Sequence, residues 1–205
     1  MKKFFMLMLA LMPLSMWAQD NTWERPEEEQ AEEKTQKVNK DEKYLRGAVP
    51  EVDGKVVFSK TIEAPGKSAD EIYRIIKQYM EKMITEKNQI YSQLVVDDAE
   101  NHKVCGGFQE WLVFKSNMLY LDKTRLYFAL AADCADGKAE LTLSRINYLY
   151  EEERQPQRIK AEEWITDKIA VNKKNTRLYP ITGKFRRKTI DRKDYIFDKI
   201  ESLLK

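Results

Sequence analysis

The sequence predicts an α+β fold: an antiparallel sheet with helices packed on one of its faces and a helix at the C-terminus. Three observations lead to this prediction. Runs rich in β-branched and aromatic residues are concentrated in the middle of the chain. Apolar residues recur at helical spacing before and after those runs. Strands and helices are therefore grouped instead of strictly alternating, which favours antiparallel strands in the order β-α-β4-α.

The first strand and the first helix have clear local patterns. Residues 55–64, KVVFSKTIEA, are rich in β-branched side chains and lie between the turn-forming pairs Asp-Gly and Pro-Gly, which predicts a strand. Ser68 and Glu71 then form a capping box, in which each side chain accepts a hydrogen bond from a free backbone N–H at a helix start. Six residues spaced by three and four predict the buried face of that helix: Ile72, Ile75, Ile76, Tyr79, Met80 and Met83.

The middle of the domain predicts several strands. Residues 89–98 and 113–121 have strand composition, and in residues 124–133 apolar and polar side chains alternate. The segment ADGK, residues 135–138, supplies the Asp-Gly pair of a hairpin turn. The segment CGGF, residues 105–108, is interpreted as a local turn or bulge.

The strand that returns from this hairpin, residues 139–150, contains a change of phase. Apolar side chains occupy one phase up to Leu143 and the other phase from Ile146 onward. We expect a β-bulge near Ser144 and Arg145, because it resets the face of the strand and keeps an unpaired arginine away from the core.

Two helical segments are expected to close the chain. Residues 161–170, AEEWITDKIA, predict a short helix. Residues 189–205 place an apolar stripe at helical spacing, and Thr189 or Asp191 is the expected cap of this last helix.

The N-terminus predicts export. Residues 1–18 combine Lys2 and Lys3 with an apolar stretch and a small-residue cleavage zone, as in a signal peptide. The stretch is shorter than the roughly twenty residues that a membrane-spanning helix needs, and no cysteine near the cleavage zone could carry a lipid anchor. Residues 19–48 are charged and poor in aliphatic side chains, which predicts a flexible linker, and residues 49–205 have the composition of a single domain. We expect a periplasmic or secreted protein that does not span the membrane and is not a lipoprotein.

Charge is balanced overall and uneven locally. The chain has 36 basic and 34 acidic residues, and removal of Lys2 and Lys3 with the signal would make the two equal. The run GKFRRKTIDRK, residues 183–193, is locally basic. In an exported protein its anionic partner would be an acidic glycan, a lipid or an envelope protein, and not nucleic acid. The alternative is a solvated helix entrance whose charges serve solubility. The candidate anion patch comprises Lys184, Arg186, Arg187, Lys188 and Lys193.

Few residues suggest catalysis or metal binding. Cys105 and Cys134 form a disulfide in an oxidising compartment or remain two buried thiols, and the sequence leaves both alternatives open. His102 is the single histidine, so we expect no metal site and no cofactor. Motifs of hydrolases and phosphate-binding loops are lacking, which predicts a protein that is not an enzyme.

Four segments together resemble a known family. They are residues 51–82, residues 120–153, AEEWITDK at 161–168 and GKFRRKTIDRKD at 183–194. Over residues 49–200 the chain is similar to an exported family of unknown function, common in Bacteroides and its relatives, with a TBP-like fold. The resemblance implies the order β-α-β4-α and one TBP-like domain, but it implies no catalytic or binding residue, because function does not follow from fold.

Two functional hypotheses follow. In the first, the domain is a cell-envelope binding module that uses the basic run, with amide donors of a helix N-terminus near Thr189. In the second, it resembles helix-grip carriers and holds a small apolar ligand in a pocket between the sheet and the last helix. The residues expected to line that pocket are Trp111, Phe114, Tyr127 and Tyr148.

Overall fold

A computed structural model describes residues 40–117 and 120–205. The strands in these ranges are β1 (Glu51–Val52), β2 (Lys55–Val56), β3 (Phe58–Glu63), β4 (Gln93–Asp98), β5 (Lys103–Asn117), β6 (Tyr120–Ala135), β7 (Lys138–Tyr150) and β8 (Gln157–Lys160). The helices are α1 (Ala69–Ile84), α2 (Asp167–Ala170) and α3 (Pro180–Leu204), with short 3-10 turns at Glu42–Tyr44 and Ala161–Glu163. The predicted signal peptide lies outside the described residues, as does most of the predicted linker.

One antiparallel sheet organises the domain. Its strand order is β3-β7-β6-β5-β4, and β8 pairs with the same edge of β7 as β3 does, further along the strand. Strands β1 and β2 form a separate small hairpin. The predicted α+β class and the order β-α-β4-α are confirmed, with β8 and α2 inserted before the last helix.

The sheet has two unlike faces because successive side chains of a strand point to opposite sides. On the core face, β5 and β6 bury apolar side chains such as Phe108, Leu126 and Phe128. Helices α1 and α3 add their own apolar residues to the same cluster, including Ile76 and Ile196. The other side of the sheet, here called the outer face, carries the half-exposed residues that alternate with them.

Helix α1 begins where the capping box predicts. The Ser68 Oγ accepts a hydrogen bond from the Glu71 N–H at 3.2 Å, and the Glu71 carboxylate accepts one from the Ser68 N–H at 3.0 Å. Of the six residues of the predicted stripe, five are buried, and Ile75 packs against the core from a half-buried position.

The predicted β-bulge lies at Arg145. The pairing of β6 with β7 shifts register between Tyr127 and Ala129, and Arg145 adopts a positive φ of 55°. Leu143 and Ile146 are both buried as a result, while Arg145 is exposed on the outer face. The bulge therefore reconciles the two apolar phases of β7.

The last helix is longer than predicted. It begins at Pro180, not at Thr189 or Asp191, so the whole basic run lies inside α3. Proline suits the first position of a helix, because its missing N–H has no partner there in any case. Lysine and arginine are good helix formers and continue the helix. Residues 161–170, predicted as one helix, form a 3-10 turn and the short helix α2 instead.

The CGGF segment is strand and not a turn. Its pairing with β4 does contain an irregularity, because the register shifts between Leu94 and Val96, opposite Gly106 and Cys105. Gly106 lies on the core face of β5 beneath the ring of Phe108, where an added Cβ would come within 2.5 Å of the ring. That ring stacks on Phe128 with a centroid distance of 5.1 Å. Because Gly106 has no side chain, the stacked rings of Phe108 and Phe128 can pack directly on the backbone of β5.

A buried ion pair connects α3 to the sheet. Arg192 is 1% exposed and Glu110 is 0% exposed. The Arg192 Nε and Nη2 donate to the two carboxylate oxygens of Glu110, each at 2.8 Å. Gln89 also donates to Glu110, at 2.6 Å. This bidentate contact fixes the position of α3 against β5 and lies inside the core, away from any surface.

Among the helices of residues 40–117 and 120–205, none combines the length and the apolar composition needed to cross a bilayer.

Candidate binding surface

Arg186, at the centre of the predicted anion patch, is buried. Its side chain is 0% exposed, and its guanidinium donates to the carbonyl oxygens of Tyr44, Leu45 and Ile165, each at 2.6 Å, and to the Asp167 carboxylate at 2.6 Å. Burial lowers the pKa of Arg186, and the contact with Asp167 opposes this shift. The prediction that Arg186 belongs to an exposed patch is therefore wrong, because its donors are used by backbone carbonyls inside the fold.

Two more cations of the basic run have partners within the chain. The Lys184 ammonium donates to the Asp122 carboxylate at 2.6 Å and to the Tyr150 hydroxyl at 2.9 Å. Burial lowers the pKa of Lys184, but these hydrogen bonds outweigh it, so the pKa is raised above its usual value. Arg187 donates through Nε and Nη2 to Asp41, at 2.9 and 2.7 Å.

Lys193 pairs with the adjacent Asp194. Lys188 is half-buried and forms no ion pair with a residue that the structure describes. The structure therefore brings the predicted cations together along one helix, but most of their charge is already neutralised by acidic side chains of the same chain.

These contacts also fix the segment that precedes the domain. The Tyr44 hydroxyl donates to Asp191 at 2.8 Å, and the Gly47 N–H donates to Asp167 at 2.8 Å. The sequence assigns residues 40–48 to the flexible linker. In the structure these residues are held against α2 and α3 by hydrogen bonds to Asp167 and Asp191.

The four aromatic residues expected to line a pocket do not face one space. Trp111 and Tyr127 lie on the outer face of the sheet. Phe114 and Tyr148 lie on the other side, where both contact the ring of Phe185 on α3, with centroid distances of 4.5 and 5.1 Å. The predicted grouping of these residues around a single ligand is therefore wrong.

The space between the sheet and α3 is filled. The gap beside Leu126, Ile146 and Thr189 leaves no room for a water-sized sphere. Tyr148 closes this region, since its hydroxyl shares a hydrogen bond of 2.7 Å with the Thr189 hydroxyl, and burial raises its pKa above the usual value.

Both cysteines are free and lie on opposite faces of the sheet. Cys105 pairs in register with Ala131, and Cys134 follows Ala131 by three residues, about 10 Å along the strand. That separation exceeds the reach of a disulfide, so a bridge is not part of this fold. Burial raises the pKa of the Cys134 thiol to about 12, and it raises the pKa of Cys105 as well.

A second group of cations lies on the outer face. Two rows of side chains cross strands β5, β6, β7 and β8 there in direct register. The first row consists of Trp111, Arg125, Leu149 and Arg158, and the second of Gln109, Tyr127, Asn147 and Lys160. With Lys123 and Arg145, which flank the rows, these strands carry a group of five cations. We call this group the cationic patch: Lys123, Arg125, Arg145, Arg158 and Lys160.

The indole ring of Trp111 makes cation–π contacts with two of these cations. The Lys123 ammonium lies 3.8 Å from the centroid of the indole ring, and the Arg125 guanidinium lies 5.3 Å from it. Attraction to the ring offsets part of the repulsion between the two charges. The Arg125 Nε also donates to Glu152 at 2.6 Å. Among the described residues Glu152 is the acidic partner of the patch.

The other three cations of the patch project into solvent. Arg145, Arg158 and Lys160 are exposed, and within residues 40–117 and 120–205 none of them forms an ion pair. Burial raises the pKa of Cys105 on β5 and the charge of Arg145 opposes this shift, which agrees with a position of Arg145 over the outer face. This end of the outer face is therefore positively charged.

Between the cations lie neutral polar groups with fixed orientation. The Gln109 Nε2 donates to the Tyr127 hydroxyl at 3.3 Å, and the Asn147 Nδ2 donates to the Arg145 carbonyl at 2.7 Å. Amide and hydroxyl groups of this kind offer donors and acceptors to ligand hydroxyls.

Sequence reasoning missed this patch because its cations come from three separate segments and form no run. The period-two pattern of β6 was a usable signal, since it places Lys123, Arg125 and Tyr127 in the phase opposite to the core. The contribution of β8 could not be found in that way, since no strand was predicted there.

A second concavity, of about 420 Å³, opens between α1 and β4. Three of the polar groups that line it bond to one another, since the Tyr73 hydroxyl and the Lys77 ammonium both donate to Asp97, the latter at 2.6 Å. The two bonds lower the pKa of Asp97. No group of three or more potential metal ligands is found in the part of the chain that the structure describes.

The architecture defines the class of this protein as α+β with a TBP-like fold. The crystal structure of a TBP-like protein from Parabacteroides distasonis shares it, with a TM-score of 0.60 and 19% identity over 76% of this chain and 96% of that one. The chain belongs to the family described as a domain of unknown function (DUF4468) with TBP-like fold, whose profile matches residues 58–149. A DUF4468 protein from Bacteroides ovatus is 40% identical over 80% of this chain and 94% of that chain, with a TM-score of 0.74.

These matches confirm the family resemblance that the sequence suggested. No curated protein matches the chain significantly.

Proposed function

We propose that this protein is an exported, non-enzymatic module of the cell envelope that binds an acidic polysaccharide on the cationic patch. The observation that carries the proposal is the concentration of five cations at one end of the outer face, with a single described acidic partner. Export rests on the N-terminal sequence, and the non-enzymatic role rests on the lack of catalytic motifs in that sequence.

The chemistry of the patch favours a glycan over other anions. Arg158 and Lys160 supply charge. The other members of the row that ends at Lys160 supply hydrogen bonds: Gln109, Tyr127 and Asn147. A polymer that carries both carboxylates and hydroxyl groups uses both features. A polymer also repeats these groups along its length and can follow both rows, whereas a lipid headgroup presents a single phosphate.

Isothermal titration with polygalacturonate as the acidic glycan, and dextran as the neutral one, tests the proposal. We expect binding to polygalacturonate alone, weakening as salt is added. The double variant Arg158→Gln, Lys160→Gln should bind about two- to thirtyfold more weakly, since each exposed ion pair contributes about 0.2–1 kcal/mol.

A matched control removes two charges from α3 instead, in the variant Lys188→Gln, Lys199→Gln. Equal weakening by both double variants would show a non-specific charge effect, and equal binding of dextran would reject the acidic ligand. Binding to phosphatidylglycerol vesicles without binding to polygalacturonate would replace the glycan with a lipid.

A further inference from the structure

The best carboxylate-binding group of the cationic patch is already occupied. Arg125 contacts Glu152 through two parallel bonds, Nε to Oε2 at 2.6 Å and Nη2 to Oε1. This fork arrangement is the one by which arginine recognises carboxylates. Arg125 also lies in the middle of its row, between Trp111 and Leu149. A ligand carboxylate that entered the patch would therefore meet Glu152 at its centre.

Glu152 is placed where it can leave without disturbing the sheet. It belongs to the turn between β7 and β8, and Glu153 beside it is exposed. The turn starts at Glu151, with a positive φ of 53°, and is closed by a hydrogen bond of 3.0 Å from the Arg154 N–H to the Glu151 carbonyl. No ladder hydrogen bond of the sheet has to break for the Glu152 side chain to rotate away.

We infer that Glu152 is an internal substitute for the ligand carboxylate, which the acidic glycan displaces from Arg125 on binding. This inference rests on the proposed function. Trp111 keeps Arg125 in place when Glu152 leaves, because the guanidinium retains its contact with the indole ring. The pair between Arg125 and Glu152 thus weakens the binding of any anion that cannot replace Glu152 with two parallel hydrogen bonds to Arg125.

Replacing Glu152 distinguishes this role from a structural one. The variant Glu152→Gln keeps the shape of the side chain and removes its charge, so Arg125 becomes available to the ligand. Affinity for polygalacturonate should rise about two- to fivefold, the effect of one partly exposed ion pair. If Glu152 only orients Arg125 for binding, the same variant should bind more weakly.

The experiment compares Glu152→Gln with Glu153→Gln, which makes the same charge change one residue away, in titrations of the full chain with polygalacturonate. Circular dichroism melting verifies that each variant is folded. The rise in affinity should also disappear when Arg125→Gln is combined with Glu152→Gln, because the guanidinium that would bind the ligand carboxylate is then absent.

The possible results separate the inference from the function on which it rests. If wild type binds polygalacturonate and Glu152→Gln binds it with equal or lower affinity, the inference is overturned and the proposed function is retained. An equal gain in Glu153→Gln also overturns it, since net charge alone would explain the result. Absence of polygalacturonate binding in wild type and all variants overturns both, whereas binding that emerges only in Glu152→Gln supports the displaced carboxylate.

Discussion

Replacing Arg186 with methionine tests whether the basic run of α3 stabilises the fold or forms a binding surface. Methionine retains the apolar stem but removes all donors. The carbonyl groups of Tyr44, Leu45 and Ile165 then lose their 2.6 Å partners. An unsatisfied buried acceptor costs about 1–3 kcal/mol, while Tyr44 and Leu45 are half-exposed and can recover water. The Asp167 carboxylate is also partly exposed, so the Ile165 carbonyl is the acceptor that stays buried, and we expect a loss of about 1–3 kcal/mol in the free energy of unfolding.

Urea unfolding at equilibrium, with the slope m compared between variants, measures this loss. Hydrogen exchange of the amides in residues 45–48 should accelerate in parallel, because the segment is fastened by Arg186. Lys188→Met is the matched control, since it removes a cation two residues away that forms no ion pair with a described residue. It should cost less than about 0.5 kcal/mol, as for most surface substitutions.

The reasoning would be refuted by a loss below about 1 kcal/mol with unchanged m, combined with reduced polygalacturonate binding in Arg186→Met. That result would show that the guanidinium faces a ligand, and not the backbone.

Three further predictions concern the sheet, the thiols and acid stability. Gly106→Ala should lose about 1–3 kcal/mol in urea unfolding, because the new Cβ would lie 2.5 Å from the neighbouring aromatic ring. Gly107→Ala has its nearest contact at 3.8 Å and should be neutral or slightly stabilising, so equal losses would contradict the packing. With a thiol reagent at pH 8, native protein should react faster at Cys105 than at Cys134, because burial raises the pKa of Cys134 to about 12. Unfolded protein should contain two reactive thiols. A count of zero thiols would show that the two cysteines form a disulfide. Hydrogen bonds from two lysines lower the pKa of Glu201 to about 2 from 4.5, so its stabilising contribution is present above pH 4.5 and is lost as the pH falls toward 2. The difference in urea midpoint between wild type and Glu201→Gln should therefore shrink between pH 6 and pH 2.5, and a constant difference would contradict the assignment.

Local sequence patterns predicted several elements of the fold. Ser68 and Glu71 cap α1 because the capping box depends on residues only three apart. The phase change around Arg145 indicated the bulge because alternation in a strand has a fixed period of two. In both cases the residues that determine the structure lie within a few positions of one another, so a local sequence pattern is enough to predict it.

The features that the sequence did not reveal depend on distant partners. The start of α3 at Pro180 was missed because the basic residues after it were interpreted as an exposed entrance. What buries Arg186 is a set of carbonyls more than one hundred positions earlier in the chain, together with the nearer Ile165. Burial of an arginine of this kind cannot be recognised from its immediate neighbours, because the same residues would suit a solvated helix face.

The candidate binding surface was predictable only in part. Trp111 and Tyr127 were named as candidates, but on the wrong side of the sheet. The face of Tyr127 follows from the alternation of β6, whereas the approach of Arg158 and Lys160 requires the pairing of β8 with β7. A non-local strand pairing of four residues leaves almost no pattern in the sequence.

The central claim, that the outer face binds an acidic glycan, is tested most directly by nuclear magnetic resonance. Isotope-labelled protein, prepared without residues 1–18, would be titrated with oligogalacturonate at low and at high salt. We predict that amide shifts change most on β5, β6, β7 and β8 around Trp111 and Arg158, and that added salt reverses them. Shifts confined to α3 or to the concavity between α1 and β4, or the absence of any shift, would contradict the account.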